Sequence, residues 1–357
     1  MRPDEDDAHA DFSVLERVCI CGWPTDTLSI DHHGWSYNYA TSEHKNNAPA
    51  STTHTLLLFI PGNPGVIHWY TNFLTRIVQE LGRGFAVCGL SYAGHGVGED
   101  VVGTSDDHDR RFHGERLDEK LNEAMHIHGQ KDMRVPWTMD GQIHHKIEWI
   151  DKILGDWRNE CGCEPNLIFI THSIGAHFVQ SLLLRRPDIL AKTKHIIHLM
   201  PFIRFDPPPV KKLLLSSTAH AQKYTMPLVM ILARVLLPVL PRQWIDSYLK
   251  QVVGMDSKKG REITMDVFSN PKMVKNHLML GLQEIRESHW APEFHMKDLR
   301  RMKRQSKIPC NVYTEYLDEL SHDFIVRLGQ IDQAVSFCVK RIKSCGQINV
   351  KHFRSRL

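Results

Sequence analysis

The sequence predicts an α/β fold, a mostly parallel sheet covered by helices, and three observations carry that prediction. The runs TLLLFI (55–60), FAVCGL (85–90) and NLIFI (166–170) are apolar without alternation, the pattern of strands buried on both faces. Helical stripes lie between them: Trp69, Phe73, Ile77 and Leu81 follow the first, and Ile143, Ile147, Ile150 and Ile153 precede the third. Strand, helix and strand in that order make a crossover unit, which requires parallel neighbours.

The elements follow in chain order. DFSVLERVCICGW (11–23) and HHGWSYNYAT (33–42) alternate partially and predict an opening antiparallel edge, with NNAPASTTH as the loop after it. Residues 1–54 therefore form N-terminal strands and a loop, and residues 55–357 the main unit. From 97 to 138 the chain is rich in Asp, His, Glu and Arg without an apolar face, and reads as a polar insertion. A helix is expected from about 175 to 185, with Phe178 and Leu182 inward, then a strand at HIIHLM (195–200) ending at Pro201. Residues 202–285 are mostly helical in pattern and predict a hydrophobic cap over the sheet's C-terminal edge, where pockets of open α/β folds lie. IPCNVYTEYL (308–317) is expected to be the last strand, and Ile325, Leu328, Ile331, Val335 and Val339 a terminal helical face.

Composition removes several function classes. The 44 basic and 41 acidic residues leave a formal charge of +3, too balanced for a nucleic-acid footprint, although KRIKSC at 340 onward is locally basic. Eight cysteines in a chain of 357 residues make no disulfide framework. MRPDEDDAHA lacks the apolar core of a secretory signal, so an intracellular location is expected. The run from 224 to 241 holds Arg234 and three prolines and falls short of a membrane span. GNPG lacks the lysine of a phosphate-binding loop, GHGVGED is not framed as a dinucleotide turn, and DDHDRRFH (106–113) fixes no tetrahedral site. No cofactor and no metal are expected.

The chemistry-bearing stretch is THSIGA at 171–176. Ser173 follows a buried strand and precedes a helix, the place of a nucleophile on a sharp elbow, and Gly175 permits a close helix start. Thr171 stands where such elbows carry glycine, and its β-branched side chain is expected to crowd the turn unless its hydroxyl finds a bond. A serine that merely caps the helix is the competing reading. A hydroxyl nucleophile needs a base, and His322, between the expected last strand and the terminal helix, is the candidate; His172 and His177 lie nearer in sequence but point elsewhere. Main-chain N–H groups of Ile174 and of Asn63, in PGNPG after the first buried strand, are the candidate oxyanion donors. The orienting acid is not identified: no strand followed by an acidic loop occurs between 202 and 307, leaving Glu287 and Asp318 as positional substitutes.

The ordered set FIPGNPGVIHWYTNFL (59–74), SYAGHG (91–96), GQIHHKIEWI (141–150), THSIGAHF (171–178), HLMPFI (198–203) and SHDFIV (321–326) resembles the lipid-droplet-associated hydrolase family of the α/β-hydrolase superfamily. The resemblance spans about residues 55–340. It implies a Ser, Asp, His hydrolase of hydrophobic esters, sterol esters among them, at the lipid-droplet and cytoplasmic endoplasmic-reticulum surface. Carried over residue by residue, it gives Ser173 as nucleophile and His322 as base. The family's acidic loop corresponds to SHWAP (288–292), with Ser288 or Glu287 where the acid stands. The apolar run 226–240 is then expected to lie in the outer lipid layer, with Arg234 reaching headgroups. A catalytically impaired lipid-droplet scaffold on the same fold is the alternative.

Overall fold

The computed structural model describes residues 13–21, 23–31, 55–82, 84–96, 138–201, 240–288 and 320–351. The expected strands at 33–42 and 308–317, the insertion up to 137, the apolar run 226–239, SHWAP after Ser288, and Asp318 lie outside them.

Six strands form one sheet in the order β1-β2-β4-β3-β5-β6. β1 (Ser13–Ile20) and β2 (Trp23–Asp31) pair antiparallel, so the stretch 11–23 is not one strand but is divided at Cys21, whose φ of 54° begins a tight hairpin turn. β2 pairs antiparallel with β4 (Phe85–Leu90), and from there β3 (Thr55–Ile60), β5 (Asn166–His172) and β6 (Thr193–Leu199) are parallel. The parallel strands are the runs without alternation, because both of their faces are covered.

Leu56, Leu58 and Ile60 of β3 face a core completed by α2 (Met139–Cys161) and α3 (Gly175–Arg185), through Trp149, Ile150, Phe178 and Leu182. Leu57 and Phe59 face the opposite core, built with α1 (Thr71–Leu81) and α8 (Leu328–Lys351), through Phe73, Ile77, Ile331 and Val335. Each such fully buried aliphatic or aromatic side chain contributes about 1.5–3 kcal/mol, so the two layers hold the sheet from both sides. Thr138 caps α2 by accepting from the Gly141 N–H at 3.0 Å, which sets where that helix starts.

The short helix α4 (Pro187–Lys192) leads into β6. Beyond it α5 (Arg242–Tyr248) continues through a π turn at Leu249–Val253, followed by α6 (Lys258–Ser269) and α7 (Pro271–Ser288). α7 lies against the loops that leave β3 and β4: Asn276 Nδ2 donates to Gly94 O at 2.8 Å and His277 Nε2 to Pro64 O at 2.7 Å. α8 packs on α1 and fixes the turn before it, where Phe324 meets Phe73 edge to face at 5.5 Å.

Candidate active site

The buried strand β5 ends in a bend at Ser173, whose φ of 51° is a left-handed conformation that a non-glycine residue adopts only when its surroundings hold it there. Its N–H donates to Leu199 O at 3.0 Å, tying the bend to the end of β6. Gly175 lets α3 start against the end of β3, where a Cβ would run into the carbonyl oxygens of Ile60 and Pro61. The crowding expected of Thr171 is relieved because the residue is still within β5, opposite His198 of β6, and its hydroxyl hydrogen bonds with His198 Nδ1 at 2.6 Å. The bend falls two residues later.

His322 arrives from the turn before α8, and its Nε2 stands 2.9 Å from Ser173 Oγ. Burial holds its pKa below the ordinary imidazole range, partly countered by the Asp323 carboxylate. A neutral ring whose Nε2 accepts from the serine hydroxyl carries its proton on Nδ1. The turn is held by Ser321, whose N–H and hydroxyl both donate to Gln330 Oε1 at 3.0 and 2.6 Å. Among the described residues no carboxylate hydrogen bonds to or pairs with the His322 ring. Asp323, next in sequence, instead accepts from Arg327 Nε and Nη2 at 3.0 and 2.7 Å, and those bonds hold its carboxyl down at about 2. Glu287 continues the backbone of α7, its side chain lying outside what the structure describes, as all of Asp318 does.

The loop Pro61–Gly65 forms the third side. A Cβ on Gly62 would come within 2.9 Å of both Ser173 Cβ and His172 Nδ1, so this glycine lets the loop reach the elbow. Neither the Asn63 nor the Ile174 main-chain N–H is taken by another group among the described residues. The loop carbonyls are held from behind. Tyr92 Oη donates to Pro61 O, and Pro64 O accepts from both His95 Nδ1 and His277 Nε2. Burial lowers the pKa of His95 and His277, the latter to about 4, so both are neutral donors near pH 7. Glu284 of α7 is pushed up to about 8 by burial, opposed by a hydrogen bond from Asn63, and so sits protonated beside the loop at neutral pH.

Sequence reasoning named Ser173, His322, Asn63 and Ile174, and missed Tyr70, His172, His277 and Glu284. His172, expected to point away from the serine, turns its Nδ1 to Tyr70 Oη at 2.8 Å and its Nε2 to His322 O at 3.0 Å. Nothing in the local sequence announces these partners, which are 102 and 150 residues away. A separate group, Cys21, His144 and Glu148, brings possible metal-ligand atoms within 4.8 Å of one another and shares no residue with the Ser173 site. His144 and Glu148 already pair at 3.0 Å across one helical turn.

Comparison with known proteins gives the chain a family. A family model described as lipid-droplet associated hydrolase matches residues 53–302. A lipid droplet-associated hydrolase of Pongo abelii is 26% identical over 182 residues, 50% of this chain and 46% of that protein. The Homo sapiens protein of that name is 28% identical over 137 residues, 38% of this chain and 34% of its own length. The chain thus spans less than half the length of these curated relatives. Among solved structures, the peroxisomal alpha-beta-hydrolase Lpx1 of Saccharomyces cerevisiae aligns with a TM-score of 0.48 and 11% identity, covering 90% of this chain and 81% of that one. Because the family model covers more than half of its residues, the chain belongs to the lipid-droplet associated hydrolase family.

Proposed function

We propose that the chain is a serine hydrolase of hydrophobic esters working at a lipid surface. The observation that carries this reading is the 2.9 Å contact between His322 Nε2 and Ser173 Oγ at a left-handed bend, with two unclaimed N–H groups beside it. Ser173 Oγ attacks the ester carbonyl carbon as His322 Nε2 takes its proton, and the oxygen that becomes negative is received by the Asn63 and Ile174 N–H groups. The imidazolium then gives its proton to the departing alcohol oxygen, leaving an acyl-serine. Water, deprotonated by the same nitrogen, attacks the acyl carbon and releases the carboxylic acid and free serine.

The surface part of the proposal rests on α5 and its π turn. Leu240, Trp244, Tyr248 and Val252 recur every four residues and are exposed at 40, 68, 57 and 68%, an apolar stripe continuous in sequence with the run 226–240. Aromatic side chains with one wet end suit the boundary between headgroups and acyl chains. The family name supports the lipid droplet as that surface; the cytoplasmic endoplasmic-reticulum surface and sterol esters as substrates are what the sequence resemblance implies. A catalytically impaired scaffold is the second reading, favoured by the lack of a carboxylate on His322 among the described residues.

A fluorophosphonate probe separates the two. Labelling of the folded protein that vanishes in Ser173→Ala supports the hydrolase, and a folded protein that takes no label supports the scaffold. Flotation with triolein droplets coated in phosphatidylcholine checks the surface: Trp244→Ser with Tyr248→Ser is expected to leave the floating fraction. Unchanged flotation of that variant refutes the stripe.

A further inference from the structure

Four polar groups between the oxyanion loop and the base form a chain in which every donor and acceptor is determined. The Gly62 N–H donates to Tyr70 Oη at 3.3 Å. The His322 carbonyl oxygen can only accept, so His172 Nε2, 3.0 Å away, must carry the ring proton. A neutral imidazole has one N–H, so His172 Nδ1 is an acceptor, and the Tyr70 hydroxyl at 2.8 Å is its donor. Both side chains stay in the required state near neutral pH. Burial, the neighbouring His322 ring adding to it, lowers His172 to about 3, and burial raises Tyr70 above the ordinary phenol range. Their rings are fixed by packing, Tyr70 against Phe59 at 4.6 Å and His172 against Phe324 at 5.4 Å.

We propose that His172 is a positioning residue: its Nε2–H holds the main-chain carbonyl of His322, and Tyr70 sets the His172 tautomer that allows it. The opposite tautomer would turn a nitrogen lone pair toward the carbonyl oxygen and push the His322 turn off the serine. This clamp deepens the hydrolase reading and rests on it for its catalytic meaning. It fixes the base through its backbone, where an orienting carboxylate would act on the far ring nitrogen. Because the chain starts at Gly62, beside Asn63, the same four groups hold the base and an oxyanion donor in one frame, and a misplacement of about 1 Å there costs on the order of 100-fold in rate.

The test uses side chains that keep one half of the imidazole. Glutamine places an N–H near the position of Nε2, and asparagine places its polar atoms near Nδ1. The rate of fluorophosphonate labelling is measured on the full chain, with Ser173→Ala as the blank. His172→Asn is expected to lower the maximal labelling rate by about 10- to 100-fold with half-saturation unchanged, while His172→Gln stays within about threefold of wild type. Tyr70→Phe is expected to cost about tenfold in the wild-type background and nothing further in His172→Gln, which has no tautomer to set. Equal losses in His172→Asn and His172→Gln, or additive losses in the double variant, overturn the clamp and leave His172 a packing residue.

Imidazole nitrogen NMR of the wild-type protein reads the tautomer whether or not any variant folds. His172 is expected in the Nε2–H form, neutral from pH 5 to 8, and becomes a mixture in Tyr70→Phe. Labelled protein with His172 in the Nδ1–H form removes the clamp and keeps the hydrolase reading. Unlabelled protein in the Nε2–H form removes the hydrolase reading and keeps the clamp.

Discussion

Lys146 is the sharpest test of how the core behind the site is held. It is fully buried in α2, its Nζ donating to Gln142 Oε1 at 2.9 Å and Gln142 O at 3.3 Å, and it lies over the Tyr92 and Phe178 rings at 4.0 and 4.7 Å. No carboxylate pairs with it among the described residues. Desolvation lowers its pKa well below the ordinary 10.5, with Cys21 partly opposing. In the unfolded chain the amine binds a proton up to about pH 10.4, so between the lowered folded value and that limit the unfolded state holds one proton more. Stability then rises with pH through that window, by about 1.4 kcal/mol per pH unit for one group. Lys146→Met, unbranched and of similar length, removes that proton and its slope. Urea unfolding of both proteins at pH 8.5 and 9.5 should show wild type gaining about 1.4 kcal/mol on the variant across the interval, other titrations cancelling in the difference. Parallel stability curves would refute the reasoning and mean that the amine stays charged, held by the two ring faces at about 2 kcal/mol each.

Lowered by burial, His322 should remain a neutral base to below pH 6.5, so the acid limb of fluorophosphonate labelling is expected below that value; a midpoint above pH 7 contradicts the assignment. Thr171→Val removes the hydroxyl that bonds His198 Nδ1 and should cost about 0.5–1.5 kcal/mol in urea unfolding, while Thr171→Ser, which keeps the bond, should cost less than half as much. Gly175→Ala drives a methyl group into the Ile60 and Pro61 carbonyls; about 1–3 kcal/mol of stability and most labelling should be lost, and a fully labelled variant would show that α3 can shift without disturbing the elbow.

The parts legible in the sequence are those encoded by local pattern. TLLLFI, FAVCGL and NLIFI are strands because an unbroken apolar run has no other use in a sheet covered on both faces, and Ile143 through Ile153 lie on a helix because their spacing is helical. Ser173 was legible because a strand, a serine and a glycine in that order describe a bend. The division of 11–23 at Cys21 was not, since cysteine is an unusual residue for a left-handed turn and carries no turn signal. His172, Tyr70 and the α7 groups His277 and Glu284 were illegible for a different reason. Each acts on a main-chain atom or loop that reaches it only in the folded chain, and a carbonyl oxygen has no sequence signature.

The serine and its base are 149 residues apart. At about 5–20 residues per second, a ribosome completes the elbow on the order of ten seconds before it begins the turn that carries the imidazole. A nascent chain that has already folded its first parallel strands therefore holds the proposed nucleophile without its base. The hydrolytic competence proposed for this protein would switch on only as the helix Leu328–Lys351 docks and brings the turn before it to the elbow.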